Sequence, residues 1–153
     1  MKALLELLVR LRGLRRALMH VLASRPRLRF AQRSYQEVPV SSSGIYAFWT
    51  RARKLVYLGV ALDMRGRIRT HARVNRSLDG RWHNQISVFQ EKVLGRALRR
   101  RSPGPMNQQD RELLESGQNL ERIWSRLLRG YVFSWISCKH ADAQDLEGLM
   151  GWK

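Results

Sequence analysis

Two tyrosines stand beside glycines in one short stretch, Gly44-Ile45-Tyr46 and Tyr57-Leu58-Gly59, eleven residues apart. Arg67 and His71 follow, four residues apart. On a helix, residues at that spacing lie on one face, so Arg67 and His71 are expected to project together. Two phenols, a guanidinium and an imidazole gathered at one place suit a phosphodiester. Arginine meets the charge of the transition state, and phenol or imidazole moves the proton. Taken singly, Tyr46 and Tyr57 are ordinary strand aromatics, and Arg67 is one arginine among many, so the reading rests on their joint spacing.

The elements that must position these groups are legible around them. GIYAFW and KLVYLGV are β-branched and aromatic runs separated by the polar turn TRAR, which predicts a hairpin. Asp63 is placed to cap a helix running to about Ala72. Phe89, Val93, Leu94, Ala97 and Leu98 recur at helical spacing over residues 86–100. A polar helix is expected around Gln108–Glu115. A further helix, capped by Asn119, carries Ile123, Trp124, Leu127 and Leu128 on one face. YVFSWIS, residues 131–137, is a third strand, and ADAQDLEGLM is a short final helix. The simplest compact arrangement is an α+β fold, a three-stranded sheet flanked by helices.

Residues 1–24 are rich in leucine and arginine at helical spacing and predict an amphipathic helix stopped at Ser24-Arg25-Pro26. It is expected to pack its leucines on the domain, on a second copy or on a partner protein. Residues 25–43 read as a linker, and 44–153 as the main domain. No apolar run approaches the length of a membrane-spanning helix.

The chain of 153 residues carries 29 Lys and Arg against 12 Asp and Glu, a formal charge of +17. A charge that large on a small domain repels itself unless a polyanion neutralises it. Nucleic acid is the first candidate and an anionic membrane surface the second. Most of the positive charges are arginine, which grips phosphate through a bidentate fork. Cys138 is the only cysteine, which excludes an intramolecular disulfide and a cysteine-built zinc site. It fits a reducing compartment; the expected location is intracellular, cytoplasmic or nucleoid-associated, with organelle targeting through the Leu- and Arg-rich N-terminus as the alternative.

Gly44-Ile45-Tyr46, Tyr57-Leu58-Gly59, Arg67 and His71 resemble, in kind and spacing, the signatures of the GIY-YIG nuclease family. The resemblance covers about residues 43–150, densely over 44–71. It implies a small three-stranded antiparallel sheet with flanking helices and a metal-dependent DNA endonuclease. Tyr46, Tyr57, Arg67, His71 and Glu147 would then be the catalytic residues. Glu147, on the helix after the third strand, would hold Mg²⁺ or Mn²⁺. The family's asparagine after that glutamate has no counterpart before Lys153. The helical stretch 82–128 is additional to the minimal domain and is expected to contact DNA. Arg65, Arg69 and Arg73, with Arg99, Arg100 and Arg101, are the expected phosphate-binding arginines. A DNA-binding module of the same fold without cleavage is the alternative, and a protein acting at a membrane surface through its first helix is a third reading. His20, His83 and His140 read as surface or structural residues, and Trp82 as a core or loop anchor.

Overall fold

A computed structural model describes residues 2–73, 87–99, 108–109, 112 and 120–150, without the side chains of residues 2–12, 98–99, 120, 146–147 and 149–150. Helix α1 spans Lys2–Ser24. A short strand β1, Leu28–Arg29, and a single helical turn α2, Gln32–Tyr35, follow. Strands β2 (Gly44–Thr50) and β3 (Leu55–Ala61) form the expected hairpin. Helix α3 is Met64–Ala72, α4 is Val88–Arg99, α5 is Leu120–Leu128, β4 is Tyr131–Ser137, and α6 is His140–Met150. Gln108, Gln109 and Glu112 are also helical.

The fold is mixed α/β around an antiparallel sheet of four strands, not three, in the order β1-β4-β2-β3. The extra strand comes from the segment read as a linker. Leu28 and Arg29 pair with Phe133 and Val132, while Phe30, Tyr35 and Val38 pack on the core. A two-residue strand is too short to show any period, which is why the sequence pattern does not announce it.

Alternation along β2 divides the core into two layers. Ile45, Ala47 and Trp49 face a cluster closed by Leu22 of α1 and Ala143 of α6. Tyr46 and Phe48 face the other way, into a larger cluster with Met64 and Ile68 of α3, Phe89 and Val93 of α4, and Ile123 and Trp124 of α5. On β3, Leu55 and Leu58 face the first layer. The register shift between Phe48 and Trp49 leaves Val56 unpaired, and both Val56 and Tyr57 join the second layer.

Among its described side chains, helix α1 docks through its last turns. Leu22 is fully buried, whereas Leu14 and Val21 are exposed. A buried relay fastens this end: Trp49 Nε1 donates to Ser134 Oγ at 2.9 Å, and Ser134 Oγ donates to the Leu22 carbonyl at 3.0 Å. No helix among the described residues is long and apolar enough to cross a membrane.

The Ser134 relay yields the first prediction. Ser134→Ala strands a buried indole N–H and a buried carbonyl, each costly to leave unpaired. Urea unfolding is expected to show a loss of about 1–3 kcal/mol; an unchanged midpoint would mean that the relay does not hold α1.

Candidate active site

The two glycines of the opening motif are required by close approach. A Cβ on Gly44 would lie 2.1 Å from the Ile136 carbonyl oxygen and 2.9 Å from Met64 Sδ. One on Gly59 would lie 2.6 Å from both Cζ and Oη of Tyr46. Gly59 sits directly across from Tyr46 in the register, and its bare backbone lets the tyrosine ring lie over β3 and reach helix α3.

That helix is set by local chemistry. Asp63 caps it, accepting from the Gly66 backbone N–H at 3.1 Å. Its far end is tied by side chains from the inserted helices. Trp124 Nε1 donates to the Ala72 carbonyl at 3.1 Å, and Gln90 Nε2 donates to the Arg73 carbonyl at 2.6 Å. These bonds occupy carbonyls that a helix terminus leaves without partners. One residue before this end, His71 is 1 % exposed, and its Nε2 lies 2.9 Å from the Tyr46 hydroxyl, a buried hydrogen bond.

Aromatic rings enclose the pair. The His71 ring centroid lies 5.2 Å from those of Phe48 and Tyr57, 5.7 Å from Tyr46 and 6.1 Å from Phe89. Its Nδ1 is buried without a hydrogen-bond partner. Burial in this shell, aided by the Arg67 charge, lowers the imidazole pKa to about 4. Burial, and then the neighbouring Tyr57, push the Tyr46 phenol well above the ordinary tyrosine range, with the Arg67 guanidinium opposing them. At neutral pH both groups are uncharged. Tyr46 is therefore a proton-bearing hydroxyl at rest and not a resting phenolate base.

The structure thus brings Tyr46, Tyr57, Arg67 and His71 together. Tyr46 and His71 are buried, Tyr57 is half-buried, and Arg67 is exposed at the rim with its guanidinium on the Tyr46 hydroxyl. Glu147 is carried by α6, which packs through Ala143 against the opposite face of the sheet from Tyr46. The side chain of Glu147 lies outside the described residues. Among the described residues, no group of three His, Cys, Asp or Glu could hold a metal ion. A hard divalent cation takes oxygen ligands, chiefly carboxylates, so two phenols, an imidazole and a guanidinium do not themselves make a Mg²⁺ site.

The other expected phosphate-binding residues divide. Arg65 spends its guanidinium on structure, donating to the carbonyls of Val38 at 2.6 Å and Gln36 at 3.0 Å. Arg69 and Arg73 are exposed and both act electrostatically on Tyr35 of α2. Arg99 ends α4, its side chain undescribed, and Arg100 and Arg101 lie outside the described residues. The described parts of the 82–128 stretch, expected to contribute DNA contact or specificity, roof the site: Phe89 covers His71, while Gln90 and Trp124 hold the end of its helix. The helical spacing around Phe89 marks it as a core residue, but nothing in it marks Gln90 as a tie for α3.

No family model, no curated protein and no solved structure matches the chain.

The depressed His71 pKa links to stability with a definite sign. From an unfolded value near 6.5 to a folded value of about 4, the unfolded chain binds the extra proton, so stability is full above pH 6.5 and falls as pH drops towards 4. Between pH 7.5 and 5 this group alone accounts for about 2 kcal/mol. His71→Gln is expected to be less stable at pH 7.5 yet to lose about 2 kcal/mol less than the wild type over that range in urea unfolding. Equal losses in the two proteins would show that His71 titrates normally in the fold.

Proposed function

We propose that this chain is a metal-dependent DNA endonuclease of the GIY-YIG type, acting at the Tyr46–Tyr57–Arg67–His71 cluster. The observation that carries the reading is the 2.9 Å bond between Tyr46 and His71, with Tyr57 and Arg67 at its rim. Four residues chosen from sequence spacing for phosphodiester chemistry meet at one point of the fold. The +17 charge supports a polyanionic substrate, and the reading implies an intracellular protein.

The division between buried and exposed groups supports the following division of roles. Arg67, exposed, grips the non-bridging oxygens of the scissile phosphate and offsets charge that develops on them. Tyr57, half-buried, orients the attacking water. Behind them the neutral His71 imidazole is the proton sink. It is reached through the Tyr46 hydroxyl, which passes its own proton to Nε2 as it accepts one from the side of the water. A pKa of about 4 makes this a weak base at rest. A bound phosphate anion neutralises Arg67, the charge that helps to depress the imidazole, and so strengthens the base when substrate is present. Glu147 would be the ligand for Mg²⁺ or Mn²⁺, from outside the cluster, and a divalent ion held there would supply Lewis-acid polarisation of a phosphate.

The alternative, a DNA-binding module of the same fold that does not cleave, is favoured by one observation: the helix carrying Glu147 packs on the other face of the sheet. Nicking of supercoiled plasmid decides between them. The nuclease reading expects cleavage with Mg²⁺ or Mn²⁺ that EDTA abolishes. Arg67→Ala should lower turnover roughly a hundredfold or more, Arg69→Ala should leave it nearly unchanged, and both should bind duplex almost as the wild type does. Glu147→Gln should lose cleavage by orders of magnitude and keep its affinity. Absence of cleavage by the wild-type chain with either ion, alongside tight salt-dependent binding, would establish the binding module.

A further inference from the structure

On the same face as Tyr46, the sheet continues into a pocket that the cleavage chemistry does not use. Trp135 on β4 is the direct register partner of Tyr46 on β2, and residues directly opposite share a face. Neighbouring strands lie about 5 Å apart, so Trp135 stands one strand beyond the tyrosine. Beside it is a cavity of about 360 Å³, lined by Arg25, Pro26, Leu28, Glu37, Trp135, Ile136 and Ser137. It opens where β1 stops. That strand pairs with Val132 and Phe133, and among the described residues no strand lies beside the outer edge of β4 at Trp135–Ser137.

We infer that this pocket binds a nucleotide, with the base against Trp135. The inference rests on the nucleic-acid reading above and adds a second subsite to it. Three features select the ligand. The half-buried indole of Trp135, with Pro26 and Leu28, gives an apolar wall suited to a π-face, and base–aromatic stacking tolerates any base. Glu37, exposed at the wall, is acceptor-only when ionised and so takes an exocyclic amine, which cytosine, adenine and guanine carry and thymine lacks. Arg25, also on the wall, offers a guanidinium to the attached phosphate. A carboxylate and a guanidinium on one aromatic-walled cavity match a ligand that carries an amine at one end and an anion at the other. A base within a duplex has its faces covered by stacked neighbours and cannot also lie on an indole, so within a strand the ligand is an unpaired nucleotide.

Binding followed at the Trp135 indole N–H resonance of the full chain, assigned with Trp135→Phe, tests this. The titrants are dCMP, dTMP, inorganic phosphate, a short single-stranded oligonucleotide rich in cytosine and a blunt duplex. The expected result is a saturable shift with dCMP, none with phosphate alone, and affinity for dTMP several-fold weaker. Glu37→Ala should abolish the difference between dCMP and dTMP, and Arg25→Ala should weaken both nucleotides. Both residues are exposed, so these variants keep the fold. Trp135→Leu should weaken dCMP roughly tenfold or more, read on Arg25 and Glu37 backbone resonances. A stronger response to the single strand than to dCMP assigns the pocket to an unpaired nucleotide of a chain, and the reverse assigns it to a free nucleotide. No shift with either, equal affinity for dCMP and dTMP, or the same shift from phosphate overturns the inference. The readout is binding and not cleavage, so the pocket can stand if the chain proves not to be a nuclease, and cleavage can stand without the pocket.

Discussion

One buried hydrogen bond, between the Tyr46 hydroxyl and His71 Nε2, organises this fold. It is made inside an aromatic shell, both partners being buried, where a hydrogen bond is strong and an unpaired partner is costly. Every requirement of that bond is met by a distinct device. Gly44 lets β2 enter the sheet against β4 and Met64. Gly59 clears the backbone beneath the tyrosine ring. The Asp63 cap sets the start of α3, so that its second turn brings His71 over the sheet. Gln90 and Trp124 then hold the helix end.

The same burial divides labour among the polar groups. Tyr46 and His71 cannot meet a macromolecule directly, since each is 1 % exposed. Arg67 and Tyr57 can. The interior pair is uncharged at neutral pH and responds to the exterior through the Arg67 charge, which acts on both. Helices α4 and α5 create this condition by roofing the cluster, so a stretch that reads as an insertion for DNA contact serves first as part of the core.

Much of this was legible in the sequence, for stated reasons. The hairpin, the Asp63 cap and the meeting of Tyr46 with His71 follow from short-range spacing, which local geometry translates directly into position. What was not legible depends on tertiary contact. The strand Leu28–Arg29 exists only because β4 is there to pair with it. Arg65 reads in the sequence as a phosphate-binding arginine, and the carbonyls of Gln36 and Val38, which local spacing does not place beside it, claim its guanidinium. Gln90 carries no pattern that announces a tie to Arg73 seventeen residues away. The helical period of α6 does not say which face of the sheet it covers, and it covers the one opposite Tyr46.

The claim at the centre is that the Tyr46 face of the sheet receives a DNA phosphate at Arg67. A crystal structure of the full chain with a short duplex measures this directly. The expected result is a phosphate held by the Arg67 guanidinium beside the Tyr57 hydroxyl, with the Tyr46–His71 bond intact behind them. A duplex seated elsewhere on the basic surface, with Arg67 making no phosphate contact, would contradict it.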